Sequence, residues 1–321
     1  MMMMNSSAKP KNRRFLHSQG LFLMLIIIVL SAVIALINPR FLSMQNITNL
    51  FKQISVTGIC AIAVAIILIA GGFDLSIGSL VSLVACVIAT LINQGVPELA
   101  AIAAGILFGI LCGAANGAII AHSNCAPVII TLGTMGIFKG GALLVARGNI
   151  INFKMPAPLL STTSFLGIPT IIHIFLVIVV LAFLFLYYTV MGRRLYSLGS
   201  NAEASFLAGV NIKRMKILTY TIGGFIVSFA AIALLMRLGS ASAVMGDAYT
   251  LNAVAAAVIG GISISGGKGS IGGCFLGILL LGIISNAMNL LGVTAYLQEI
   301  ILGVIVVAAA VVSQLGNTKK N

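Results

Sequence analysis

The chain alternates long apolar runs with short polar breaks from end to end. Runs of about 17–25 residues, the length at which a helix crosses a hydrocarbon core, recur throughout. They predict ten helical spans, near residues 20–38, 54–71, 75–93, 98–121, 127–146, 169–190, 217–237, 251–263, 271–290 and 295–313. The eighth is too short to cross alone and reads as a half-helix whose flanking glycines are buried in protein. A cleavable leader explains one such run, not a chain full of them. The first run has no small-residue cleavage site behind it and reads as a retained helix.

Polar segments set the direction of the spans. Residues 1–19 form a polar tail carrying Lys9, Lys11, Arg13 and Arg14. Two later segments are too long to be turns. Residues 147–168, with Pro156 and Pro158, read as an external loop, and residues 192–216 as a cytoplasmic segment with a short helix of its own. With the N-terminus inside and alternating spans, the inside holds those four residues and Arg193, Arg194, Lys213, Arg214, Lys216, Lys268, Lys319 and Lys320. The outside or its boundary holds Arg40, Lys52, Lys139, Arg147, Lys154 and Arg237. This two-to-one bias has the sense expected of cytoplasmic loops. It favours an even number of spans with both termini cytoplasmic; eight spans is the alternative to ten. The layout is an all-α, multi-pass membrane protein: a tail at 1–19, one transmembrane domain at 20–313 and a cytoplasmic tail at 314–321. The span directions suggest two inverted five-helix halves, common in transporters. Sequence likeness between the halves is faint, Asn46-Ile47-Thr48-Asn49-Leu50 against Asn286-Ala287-Met288-Asn289-Leu290.

Composition agrees. Of 321 residues, 60% are hydrophobic and 7% charged, against roughly 25% charged in soluble domains. A net charge of +13 suggests nucleic-acid binding only until its distribution is seen: the basic residues are scattered between apolar spans and form no basic stripe. The five cysteines form no C-x-x-C pair, and most lie in apolar runs as small packing residues. Tryptophan is absent.

Three segments are candidates for function. In the first, 70–79, Asp74 is one of five acids in the chain and lies between apolar runs, where ionisable residues are costly. Ser76, Ser79, Ser82 and Cys86 follow at near-helical spacing, so with Gly78 one face is small and mildly polar. It could line a path or let helices pack closely, and Asp74 could cap the following helix. In the second, 197–211, Ser200 and Glu203 stand in the relation of a capping box, residues 202–208 suit two helical turns, and Gly209 supplies a stop. The product is a short helix with exposed Phe206 and Leu207, suited either to docking a cytoplasmic partner or to lying on headgroups. The third, 260–270, resembles a phosphate loop but fails twice: Ile262 stands at the first Gly position and Gly269 at the final Ser or Thr. It reads as a glycine turn at a helix break, so energy must come from another subunit or an ion gradient. Asp247, Glu98 and Glu299 read as solvated acids near membrane ends that could meet a soluble binding protein. His17, His122 and His173 are isolated, and no catalytic or metal-ligating set stands out.

These segments carry a resemblance. Gly71-Gly72-Phe73-Asp74-Leu75-Ser76-Ile77-Gly78 resembles the glycine–aspartate–leucine–serine signature of the ribose/xylose/arabinose/galactose permease family. Residues 199–211 resemble that family's cytoplasmic loop, and 253–269 its third well-marked stretch; the likeness spans about 41–312. The resemblance implies an inner-membrane permease subunit, not an enzyme, with a fold like that of the vitamin B12 importer permease. It implies a homodimer with a central path, a cytoplasmic ATP-hydrolysing partner (two copies or one fused pair), a periplasmic sugar-binding protein, and no cofactor on this chain. The coupling helix would comprise Gly199, Ser200, Asn201, Glu203, Phe206, Leu207 and Gly209. A basic residue is common in the family where Phe206 stands, which tells against docking by a salt bridge there. The sugar itself is not named by the sequence. Two alternatives stand beside the sugar permease: a same-type permease for a branched-chain amino acid or an autoinducer sugar derivative, and an ion-coupled carrier.

Overall fold

The computed structural model describes residues 11–123, 125–153, 157–161 and 164–318. Among them are twelve α-helices: α1 (Lys11–Ile37), α2 (Met44–Ile69), α3 (Ile77–Asn93), α4 (Glu98–His122), α5 (Pro127–Ala146), α6 (Thr170–Tyr188), α7 (Val190–Ser200), α8 (Ala202–Leu207), α9 (Ile212–Leu238), α10 (Asp247–Ile259), α11 (Ile271–Leu290) and α12 (Ala295–Thr318). A 3-10 turn, Pro39–Leu42, leads into α2. Four two-residue strands, β1 (Ile151–Asn152), β2 (Ser164–Phe165), β3 (Ile168–Pro169) and β4 (Ser240–Ala241), make two antiparallel pairs, β1–β4 and β2–β3.

Each expected apolar span carries a helix. Seven are long and apolar enough to cross a membrane; α3, α10 and the apolar stretch 295–305 of α12 are shorter. At 13 residues, α10 rises only ~20 Å. From Ile54 to Ile69 helix α2 is apolar on nearly every side and buried nearly throughout, as a helix stretch without a polar face must be. Beside it α9 packs against α4 through Gly109, Gly113 and Gly117, while Gly105 abuts Ile88 of α3. A Cβ on Gly113 would lie 3.0 Å from the Cα of Gly224, so the two backbones touch, the contact that small residues at four-residue spacing allow.

The ends depart from expectation. Helix α1 is already formed at Lys11, within the expected tail, and residues 1–10 lie outside the described residues. Helix α2 starts ten residues before position 54, because Ser43 Oγ accepts the Asn46 N–H as an N-cap and the polar first turns, though not apolar, are helical. Helix α12 runs to Thr318, past the expected end at 313. Segment 192–216 holds not one short helix but the rest of α7, all of α8 and the start of α9. The 147–168 loop is tied down: β1 joins it to β4, and Glu98 accepts the N–H groups of Leu159 and Leu160 at 2.9 and 2.7 Å. Glu98 is thus a loop anchor rather than a solvated charge. Asn46 and Asn286, from the two faintly similar stretches, exchange a pair of 2.9 Å side-chain hydrogen bonds that ties the start of α2 to the end of α11.

Candidate functional site

The three candidate segments meet at one point. Gly199, one residue before the end of α7, lies against the chain leaving α2: a Cβ there would strike the Ile69 carbonyl and stand 2.6 Å from the Gly267 nitrogen. Gly71 holds a left-handed backbone (φ +78°) and its Cβ position is 3.2 Å from the Gly199 Cα. A Cβ on Gly266 (φ +86°) would be 2.8 Å from both the Gly71 Cα and the Gly199 oxygen. Gly267 N–H donates to the Ile69 carbonyl at 2.9 Å, and Tyr196 O–H donates to the Gly269 carbonyl at 3.0 Å. Three backbones therefore cross with no side chain between them. Loop 260–270 is a glycine turn as expected. It follows a helix, Ser263 N–H donates back to the Lys268 carbonyl, and Ser270 Oγ caps α11 by accepting the Gly273 N–H.

From this crossing α8 projects. The Ser200/Glu203 capping box does not form. Helix α7 continues through Ser200, whose Oγ reaches the Gly267 carbonyl at 3.5 Å, and the first extended residue is Asn201 (φ −161°, ψ 107°). Asn201 Oδ1 accepts the Ala204 N–H at 2.9 Å, since asparagine caps as well as serine. Glu203 sits in the first turn, where a carboxylate suits the helix dipole. Ser205 is buried and bridges Ser197 Oγ and the Asn201 carbonyl, pinning α8 to α7. Gly209 (φ +81°) ends the helix, with its N–H on the Phe206 carbonyl and the Val210 N–H on the Ser205 carbonyl, a Schellman stop. Phe206 and Leu207 point outward, 67% and 81% exposed.

Asp74 is buried in the extended stretch between α2 and α3. Its Oδ1 accepts the N–H and Oγ–H of Ser76 at 2.7 and 2.6 Å, and Ser76 Oγ accepts from Asn116 Nδ2 at 3.0 Å. The N-cap of α3 is Ser76, not Asp74; Asp74 shapes the turn before it. Tyr220 O–H donates to the Phe73 carbonyl at 3.0 Å and its oxygen accepts the Phe73 N–H at 3.2 Å, fixing the same stretch. The small face of α3 lies inside the chain. Ser76, Ser79 and Ser82 are buried, Gly78 abuts Gly246 and donates its N–H to Thr250 Oγ1, and Ser82 Oγ accepts the Gly246 N–H. Within the chain this face is in contact with α10. Asp74→Asn, which keeps the Oδ1 acceptor, is accordingly expected to leave extractable yield within about twofold, and Asp74→Ala to reduce it severalfold by orphaning the Ser76 donors. Size-exclusion yield from membranes reads both; loss with Asn as well would assign Asp74 a role that needs its charge.

Two features were missed in the sequence. Asp247, expected to be solvated, pairs with Lys139 at 2.6 Å. An open cleft of about 290 Å³ between α2, α9, α10, α11 and α12 carries Gln53, Thr57, Arg237, Tyr249, Asn252 and Ser285 among apolar residues. Isolated polar residues in otherwise apolar helices were the signal for both.

This architecture is an all-helical domain with, among the described residues, seven helices long and apolar enough to cross a membrane, consistent with an integral membrane permease. The profile of the family described as branched-chain amino acid transport system / permease component matches residues 46–310, and the chain belongs to that family. It is 34% identical to the ribose import permease protein RbsC of Haemophilus influenzae over 99% of this chain and all of the relative. It is 36% identical to the RbsC of Escherichia coli K12 (89% of this chain, 91% of the relative) and 36% identical to the D-allose transport system permease protein AlsC of the same organism (97% and 96%). No solved structure matches.

Proposed function

We propose that this chain is the membrane-spanning permease subunit of an ATP-driven, binding-protein-dependent importer that carries a monosaccharide across the bacterial inner membrane. The observation that supports this best is α8. A six-residue helix capped at both ends, pinned by Ser205 and presenting Phe206 and Leu207 to water, is a rigid apolar knob beyond what a connection between spans requires. In this reading the knob docks in a groove of a cytoplasmic ATP-binding subunit, which supplies the ATP site. The permease works as a homodimer with its path between protomers, and a periplasmic sugar-binding protein delivers the solute. In this reading all ten predicted spans enter the membrane, in two inverted halves resembling the vitamin B12 importer permease, with both termini cytoplasmic. The similarity to ribose and allose permeases favours a pentose or hexose over an amino acid. An ion-coupled carrier would need ionisable groups at membrane depth. Such a carrier would also give α8 no partner.

The test is reconstitution. Permease, ATPase and binding protein together in proteoliposomes are expected to accumulate D-ribose or D-allose on adding ATP, whereas permease alone under a proton or sodium gradient accumulates neither. Gradient-driven uptake by the permease alone would overturn the assignment. Topology is tested separately. In a background without the native cysteines, Ser161→Cys reacts with an impermeant thiol reagent in intact spheroplasts and Ser200→Cys only after lysis. Outside labelling at position 200 would reverse the orientation.

A further inference from the structure

The proposed function leaves the lining of the path open, and the small face of α3 is buried within the chain. The exposed side of α10 offers another candidate. Asp247, Ala248 and Leu251 are exposed along it. On one flank Asp247 meets Lys139, the two side chains 40% and 41% exposed. On the other flank lies the cleft, carrying Gln53, Thr57, Arg237, Tyr249, Asn252 and Ser285.

The depth of this strip matters. Ser82 Oγ holds Gly246 N–H, and Ser82 precedes Asn93, the end of α3 beside β1, by eleven residues, about 16 Å of helix. The remainder of α10 extends ~20 Å the other way. Asp247 and the mouth of the cleft therefore lie near the middle of the apolar layer. Charges at that depth face a protein interior or a water-filled cavity, not lipid. On α6, by contrast, the exposed positions Val177, Val180, Leu181 and Leu184 are apolar. The strip is thus a face turned from lipid.

Its chemistry selects a class of solute. The acid and the base on one flank neutralise each other. The cleft sets amide and hydroxyl groups among apolar side chains such as Ile54, Ile278, Leu281 and Leu302, and its one cation, Arg237, donates to Tyr249 Oη at 3.3 Å. Apart from Arg237, the polar groups of the cleft are neutral donors and acceptors, which suit a polyhydroxylated solute. We propose that this strip, from the Lys139–Asp247 pair across α10 to Thr57, Asn252 and Ser285, is each protomer's wall of the aqueous sugar path. The inference rests on the permease reading and adds to it the path residues.

Two measurements on the reconstituted complex test it, and they fail differently. In the first, single cysteines replace Thr57, Asn252 or Ser285 in a background without native cysteines, with Val177→Cys as the lipid-facing control. Each of the three is expected to react with a cationic methanethiosulfonate at least tenfold faster than the control. Rates equal to the control at all three would overturn the proposal. In the second, Thr57→Leu and Asn252→Leu are expected to cut D-ribose or D-allose moved per ATP hydrolysed at least tenfold. Unchanged stoichiometry in both variants would equally overturn it. If the wild-type complex shows no ATP-driven uptake while the cysteines react, the wall stands and the importer assignment falls.

Discussion

Gly199→Ala is expected to abolish assembly of the permease. Its new methyl has nowhere to go, because the Ile69 carbonyl and the Gly267 amide already occupy that space as partners in a 2.9 Å hydrogen bond. Both obstacles are backbone, so no rotamer change relieves the clash, and α7 must move away from α2 and loop 260–270 together. Overpacking a well-packed core with a methylene costs about 1–3 kcal/mol, occasionally more, and this position belongs at the upper end. Gly272→Ala makes the control, since nothing lies within 4 Å of a Cβ there and the residue is helical; removing helical glycine gains up to ~1 kcal/mol. The midpoint of thermal aggregation in detergent should fall sharply for Gly199→Ala, with little monodisperse protein recovered, and should hold or rise for Gly272→Ala. A Gly199→Ala protein of wild-type stability would show that the crossing is looser than its geometry requires.

The crossing explains why part of the site was legible in the sequence. Gly71, Gly199, Gly266 and Gly267 are conspicuous because backbone contact excludes every other residue, and such positions stand out as motifs even when their meeting place is hidden. The helical spans were legible because apolar length alone defines them. What failed was local choice. Ser200 and Asn201 are both good caps, and only the tertiary packing of α7 against Gly267 decides that the helix runs one residue further. The role of the α3 serines was likewise undetermined, since a small polar face is the same pattern whether it meets a path or another helix. Lys139 and Asp247 are 108 residues apart, so nothing local to either marked their pairing. The glycine ridge of α4 was readable, four glycines at four-residue spacing, but spoke of packing between helices rather than of chemistry.

Removing the apolar tip of α8 is expected to separate transport from folding. In Phe206→Asp and Leu207→Asp a charge replaces a side chain that already points into water, so the isolated permease should keep its yield and thermal midpoint. In the assembled transporter the same charge would enter an apolar groove of the ATPase. A charge buried without a partner is expensive, enough to lower subunit affinity by tenfold or more and to eliminate ATP-driven uptake. The cap provides an independent test because it acts through rigidity rather than contact. Asn201→Ala removes the bond to Ala204 N–H at a cost of about 1 kcal/mol, a large fraction of what holds a six-residue helix, because helices so short are marginal on their own. Ser200→Ala removes only a 3.5 Å contact with the Gly267 carbonyl and should change little. The expected order of damage to ATPase binding is therefore Phe206→Asp and Leu207→Asp most, Asn201→Ala less, Ser200→Ala least. Binding is measured by titrating detergent-solubilised permease with the ATPase subunit, and uptake in proteoliposomes. Equal affinities across the series would mean that α8 does not carry the contact with the ATPase, leaving an interfacial helix on the headgroups as its role.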